Sequence, residues 1–194
     1  MDNEQDLMEI TLDSTTHYDG VVCHFKVDTV KLPNGNISSR EYIHHRGGAA
    51  ILAVDDEGYT YLVRQYRHPY REVITEIPAG KLEEGEAPLE TAKRELEEEI
   101  GMKAKTIVPF GEIYPSPGYT DEHLYIFLAT GLSRSHAHLD EDEFLHVQRV
   151  PFAEALRQVL NGDIHDSKTC YAILRYAGEG DTVGTKQATK ALYN

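Results

Sequence analysis

The 194-residue sequence predicts a mixed α/β fold, and three observations carry that expectation. Strand-like stretches joined by Asn-Gly and Asp-Asp-Glu-Gly turns fill the first eighty or so residues. One strongly periodic helix, with proline near its start and glycine at its end, follows them. Two further helical stretches come after the last strand. The sequence has no internal repeat and no heptad run.

In chain order, residues 1–15 read as a polar lead-in. Stretches 21–30 and 39–45 are strands joined by Leu32-Pro33-Asn34-Gly35-Asn36, a strong hairpin signal. Stretches 49–54 and 59–66 form a second hairpin around 55–58. A short strand at 73–77 runs into Pro78-Ala79-Gly80, and the helix spans 88–100. Strands recur at 106–113 and 123–129 around the turn-rich 114–120. An acidic loop at 140–143 precedes a strand at 145–150 and helices at 152–160 and 167–176. The expected division is an N-terminal β appendage at 1–46, a main domain at 47–178, and a loose Gly/Thr-rich tail at 179–194.

Composition narrows the function classes. With 19 basic and 33 acidic side chains, the formal charge is −14. No Lys/Arg-rich run offsets it, which argues against nucleic acid or an anionic membrane as partner. The longest apolar runs, 49–54 and 124–129, are six residues, far short of a membrane span. The acidic N-terminus lacks the basic-then-apolar pattern of a secretion signal. Cys23 and Cys170 make no CxxC and no disulfide framework, so a reducing cytoplasm is the expected location. An anionic substrate would need local cations, from metal ions or a few arginines.

The helix is the informative segment. At about 100° per residue, Leu89, Ala92, Leu96 and Ile100 share one face and point at the core. Glu95, Glu98 and Glu99 fall on an adjacent face, where like charges repel by about a few tenths of a kcal/mol per pair. Three carboxylates beside a buried stripe invite a counter-charge, and several carboxylate oxygens are what a hard divalent cation prefers. Arg94 can bridge to Glu90 or Glu98 by i±4 pairing. His44-His45 and His136-Ala137-His138 lack further ligands at recognisable spacing, and no HExxH, GxSxG, GxxxxGK[ST] or GxGxxG is present.

The full spacing is more specific than the helix alone. Gly80, five residues, Glu86, seven residues, then Arg94-Glu95-Leu96-x-Glu98-Glu99-x-Gly101-Met102 resembles the Nudix box at all nine specified positions across 23 residues. The resemblance implies an α/β/α sandwich with a mixed sheet. It also implies a loop–helix–loop that holds divalent cations, Mg²⁺ with Mn²⁺ as a possible substitute, against a diphosphate. Glu95 and Glu99 are then the principal metal ligands, Glu98 a further ligand or a neighbour of the ligands, and the Ala79 carbonyl the backbone ligand. Glu86 and Arg94 become orienting groups.

Flanking segments resemble the ADP-ribose pyrophosphatase subfamily. These are Val63-Arg64-Gln65-Tyr66-Arg67, Glu76-Ile77-Pro78-Ala79-Gly80-Lys81, Ser116-Pro117-Gly118-Tyr119-Thr120-Asp121-Glu122, and Leu139-Asp140-Glu141-Asp142-Glu143-Phe144. By that resemblance Arg67 donates to the pyrophosphate, Ser116, Gly118 and Glu122 meet the terminal ribose, and Arg40 reaches towards substrate. Glu143 is a metal-proximal ligand or base and Glu141 the alternative base. The implied reaction is Mg²⁺-dependent hydrolysis of ADP-ribose to AMP and ribose 5-phosphate by a homodimer. Other nucleoside diphosphate sugars or dinucleotides stay open as substrates, as does a non-catalytic ADP-ribose sensor.

Overall fold

A computed structural model describes residues 4–138 and 144–179. The chain divides into two compact units, Met1–Gly47 with Tyr114–His123, and Gly48–Ile113 with Leu124–Asn194.

The first unit is an antiparallel meander of β1 (Ile10–Asp19), β2 (Cys23–Lys31) and β3 (Ile37–His45). Across the predicted turn, Leu32 N–H donates to Asn36 O at 2.8 Å and Gly35 N–H to Leu32 O at 2.9 Å. The polar lead-in is corrected here, because its residues 10–15 are strand, preceded by a 3-10 turn at Glu4–Leu7. All ten β1 residues are exposed, and in ITLDSTTHYD the apolar alternation of Ile10 and Leu12 lapses at Ser14 and Thr16, so its ladder to β2 is what reveals the strand. The loop 114–123 adds to the end of β3. Ile43 N–H donates to Tyr119 O at 2.8 Å, Asp121 N–H donates to Ile43 O at 3.2 Å, and His45 N–H reaches Asp121 Oδ1 at 2.8 Å.

The second unit is built on β4 (Gly48–Ala53), whose six residues are all buried. A strand covered on both faces reads as a continuous apolar run, and this one does. It pairs parallel with β9 (Leu124–Arg134) and antiparallel with β7 (Ala79–Lys81), while β8 (Met102–Ile113) closes the far side of β9. A second sheet has the order β10 (Leu145–Pro151), β5 (Tyr59–Arg67), β6 (Glu72–Glu76). The β8 and β9 strands run longer than the sequence predicts. Their polar outer stretches, such as Lys103 to Thr106, are held by mutual pairing (Met102↔Arg134 to Ile113↔Leu124) and not by burial.

Alternation along β4 sets the layers. Ala49, Ile51 and Ala53 pack with Ala92, Leu96 and Ile100 of α1 (Pro88–Ile100). Ala50, Leu52 and Val54 face Phe152, Leu156, Ile173 and Tyr176 of α2 (Phe152–Asn161) and α3 (Ser167–Gly178). Helices therefore cover both faces of a mixed sheet, the expected α/β/α sandwich. Each fully buried Ile or Leu at its centre contributes about 1.5–3 kcal/mol, which fixes where α1 lies and hence where its carboxylates point.

Candidate active site

Local rules explain α1. Pro88 sits at its first turn, and Gly101 ends it in the left-handed region (φ 64°), returning its N–H to Leu96 and Glu97 carbonyls. Of the predicted apolar stripe Ala92, Leu96 and Ile100 are buried and Leu89 partly so, but two of the acids are buried as well. Glu95 is 6% and Glu99 3% exposed, while the Glu98 side chain remains about one-third exposed at 35%. Two buried carboxylates on one helix need partners.

Arg94 supplies much of the pairing. Its Nη1 donates to Glu95 Oε1 at 2.7 Å and to Glu98 Oε2 at 2.9 Å. Its Nε and Nη2 each reach Glu86 at 3.2 Å, and Nη2 also reaches Lys81 O at 3.3 Å. One planar fork thus ties the loop at 81–86 to the helix. Glu90, the other i±4 candidate for Arg94, pairs with Lys93 Nζ at 2.7 Å instead. Ala79 N–H donates to Glu99 Oε2 at 3.1 Å, so the predicted backbone ligand and a predicted carboxylate are neighbours. Gly80 is closer still: a Cβ built there would fall 1.6 Å from Glu95 Oε1.

The Arg94 hydrogen bonds hold the Glu86 carboxyl down at about 2. A carboxyl lowered on folding contributes stability above its ordinary value of 4.5 and loses it as pH falls towards about 2. Glu86→Gln should therefore flatten the acid side of a melting-temperature profile between those values. An unchanged slope there would remove Glu86 as the group responsible.

Arg67, at the end of β5, makes a bidentate pair with Glu76, Nε to Oε1 at 2.7 Å and Nη2 to Oε2 at 2.9 Å. Glu76 is 2% exposed and also accepts from Lys168 Nζ. Burial pushes the Glu76 carboxyl up, but the Arg67 hydrogen bond and the Lys168 charge outweigh it and hold the group below its ordinary value. Lys168 in turn donates to Asp166 Oδ1 at 2.9 Å, and Asp166 caps α3 by accepting from Thr169 N–H at 3.0 Å. The sequence reading missed Lys168 and Asp166 and gave Glu76 no role. A charged residue between Ile74 and Ile77 was the available signal for Glu76; nothing local marks Lys168.

The remaining predicted residues lie in the first unit. Arg40, on β3, pairs with Glu9 and donates to Ser39 O at 2.9 Å. Ser116 O accepts from Tyr119 and Thr120 N–H at 3.2 Å each, Gly118 has open space where a Cβ would stand, and Glu122 Oε1 lies 3.5 Å from His45 Nδ1. The predicted set thus divides between units, with Ala79, Glu95, Glu98, Glu99 and Arg67 in the second. Glu141 and Glu143 lie outside the described residues, as does the tail from 180. Near residue 138, where the first described stretch ends, His138 N–H donates to Glu98 O at 3.1 Å and Ser135 Oγ–H to Glu97 Oε1 at 2.5 Å.

Among the described residues no three His, Cys, Asp or Glu side chains converge closely enough to hold an ion, and Arg94 stands between Glu95 and Glu98. The donor chemistry nevertheless fits a hard divalent cation: carboxylate oxygens gathered against a glycine backbone that leaves room for them.

A carboxylate helix backed by a glycine strand, on a sheet covered by helices on both faces, is the architecture of one class of hydrolase. The NUDIX domain model matches residues 44–170, and the chain belongs to that family as a Nudix hydrolase. It is 46% identical over 169 residues to an ADP-ribose pyrophosphatase of Bacillus subtilis, covering 86% of this chain and 91% of that protein. It is 42% identical over 167 residues to a methanol dehydrogenase activator of Bacillus methanolicus, covering 85% and 90%. Among solved structures, an ADP compounds hydrolase superposes with a TM-score of 0.79 at 21% identity, covering 92% of this chain and 98% of that one, which bears on the fold.

Proposed function

We propose that this protein hydrolyses ADP-ribose to AMP and ribose 5-phosphate with a divalent cation, Mg²⁺ in the cell and Mn²⁺ as a substitute. The buried Glu95 and Glu99 carboxylates, the first against Gly80 and the second on Ala79 N–H, are the observation that carries it. The name of the 46%-identical relative supports the choice of ADP-ribose.

Glu95, Glu99, Glu98 and the Ala79 carbonyl would hold the cation, with Glu143 as a further ligand. Such a cation activates water and neutralises charge developing on phosphate oxygen. Arg94 orients the carboxylates from behind. Arg67 aligns the diphosphate, since three of its five N–H groups remain after Glu76 takes two. Glu141 or Glu143 serves as base, and Arg40, Ser116, Gly118 and Glu122 contact the rest of the substrate.

The protein acts in the cytoplasm as a homodimer without nucleic acid or membrane partners. No helix among the described residues is long and apolar enough to cross a membrane. The ten-residue β1 strand, exposed along its length and carrying Ile10, Leu12 and Tyr18 at over half exposure, supports a second copy covering it.

The test is product analysis with ADP-ribose and Mg²⁺, with a chelator-treated sample alongside. AMP and ribose 5-phosphate should appear with the metal alone. A folded protein that forms no product would overturn the reading in favour of another diphosphate sugar. Tight ADP-ribose binding without turnover would point to a sensor. Light scattering on the same sample should give twice the mass of one chain.

A further inference from the structure

We propose that Lys168 is a positioning residue for Arg67, acting through Glu76; the kinetic part of this rests on the function proposed above. Lys168 stands where a lysine is poorly placed for stability. It is 8% exposed, and it lies in the first turn of α3, where the helix dipole disfavours a cation. An ammonium buried there loses its hydration, and an apolar residue of similar length would serve packing better.

What Lys168 does is hold a carboxylate. Glu76 Oε1 accepts from Arg67 Nε, and Oε2 accepts from both Arg67 Nη2 and Lys168 Nζ. The same helical turn also grips the residue just past the strand, because Ile77 N–H donates to Thr169 Oγ1 at 2.8 Å. Thr169 Oγ1–H in turn donates to Asp166 Oδ2 at 2.5 Å, and Asp166 Oδ1 accepts from Lys168. Glu76 is thereby fixed at both ends, backbone and carboxylate, by residues about ninety positions away in sequence.

The two acids and two bases balance, so no net charge has to be buried. The consequence falls on Arg67. Its guanidinium is planar, and a carboxylate that cannot rotate fixes that plane through the Nε–Nη2 edge. The Nη1–Nη2 edge then keeps one orientation, suited to a second bidentate oxyanion such as a diphosphate. The Glu76 hydrogen bond foremost, with smaller help from the charges of Glu99 and Asp166, outweighs burial and holds the Arg67 guanidinium above its ordinary value. Without Lys168 the Arg67–Glu76 pair would persist as an ion pair but could swing as a unit.

The test has two arms on the full-length protein. In the first, solvent exchange of the Arg67 Nε–H is followed by NMR, with the resonance assigned from its loss in Arg67→Lys. Wild type and Lys168→Arg should show slow exchange, and Lys168→Met should exchange about tenfold faster or more while its melting curve stays cooperative. In the second, Lys168→Met should lower kcat/KM for ADP-ribose by about tenfold to a hundredfold. In an Arg67→Lys background it should lower it by no more than about threefold. Unchanged exchange in folded Lys168→Met, or an undiminished kinetic loss in the Arg67→Lys background, would overturn the proposal. If wild type does not hydrolyse ADP-ribose, the function reading fails and the exchange arm still decides. Should Lys168→Met not fold, Lys168→Gln carries the same comparison.

Discussion

Glu99→Gln should lower kcat by about a thousandfold or more, while moving the melting temperature by only about a few degrees. Glu99 is 3% exposed and accepts the Ala79 N–H at 3.1 Å. An amide of the same shape can still accept that hydrogen bond through its oxygen, so the packing of α1 against the strand at Ala79–Lys81 survives. What disappears is the negative charge that a cation ligand needs. A thousandfold loss corresponds to about 4 kcal/mol of barrier, a reasonable size for one ligand of a charge-neutralising ion. The check is turnover at saturating metal beside a thermal melt. Near-full turnover in the folded variant would take Glu99 out of the metal-holding set.

Gly80→Ala should separate stability from function even more cleanly. The added methyl would fall 1.6 Å from Glu95 Oε1 and 2.0 Å from its Cδ, closer than any real contact. The colliding atoms are the far end of a flexible side chain, so the clash is relieved by moving the Glu95 carboxylate and not the backbone. That motion breaks its 2.7 Å contact with Arg94 Nη1 and removes one oxygen from the set facing Ala79–Gly80. Activity should fall by about a hundredfold or more, because a displacement of about an ångström near reacting groups has that scale of effect. The melting temperature should change little. Calorimetric titration of Mg²⁺ should show weaker binding by the same variant. A variant that binds Mg²⁺ and turns over like wild type would mean that the approach of Gly80 to Glu95 has no functional weight.

Much of this was legible from short-range pattern. The spacing from Gly80 to Met102 and the Pro88/Gly101 boundaries give α1, its buried stripe and the identity of its carboxylates. Alternation and turn chemistry give β2 to β5, and the unbroken apolar run at 49–54 marks the central strand. Each of these is a local property, because side-chain period, capping and turn preference act within a few residues.

Other features were out of reach of that reasoning. The β1 strand has no buried face and its alternation is broken at Ser14 and Thr16, so its period is faint, and it is held by hydrogen bonds to β2. The helix pattern assigns Glu95, Glu98 and Glu99 to one side, but not the burial of two of them or the choice of Arg94 to hold Glu86 as well as Glu98. Lys168 has no local signature.

By itself, then, the sequence determined the class of fold and the family to which the chain belongs. It also determined which helix bears the acidic side chains. Tertiary structure alone decided which of those acids lose contact with water, how near Gly80 stands to Glu95, and what fixes Arg67. The physical reason is the range of the interactions. Helix period and turn preference are set by neighbours a few residues away, whereas the Glu76–Lys168 and Ile77–Thr169 bonds join residues 92 positions apart, and only the packed sheet and helices bring them within hydrogen-bonding distance.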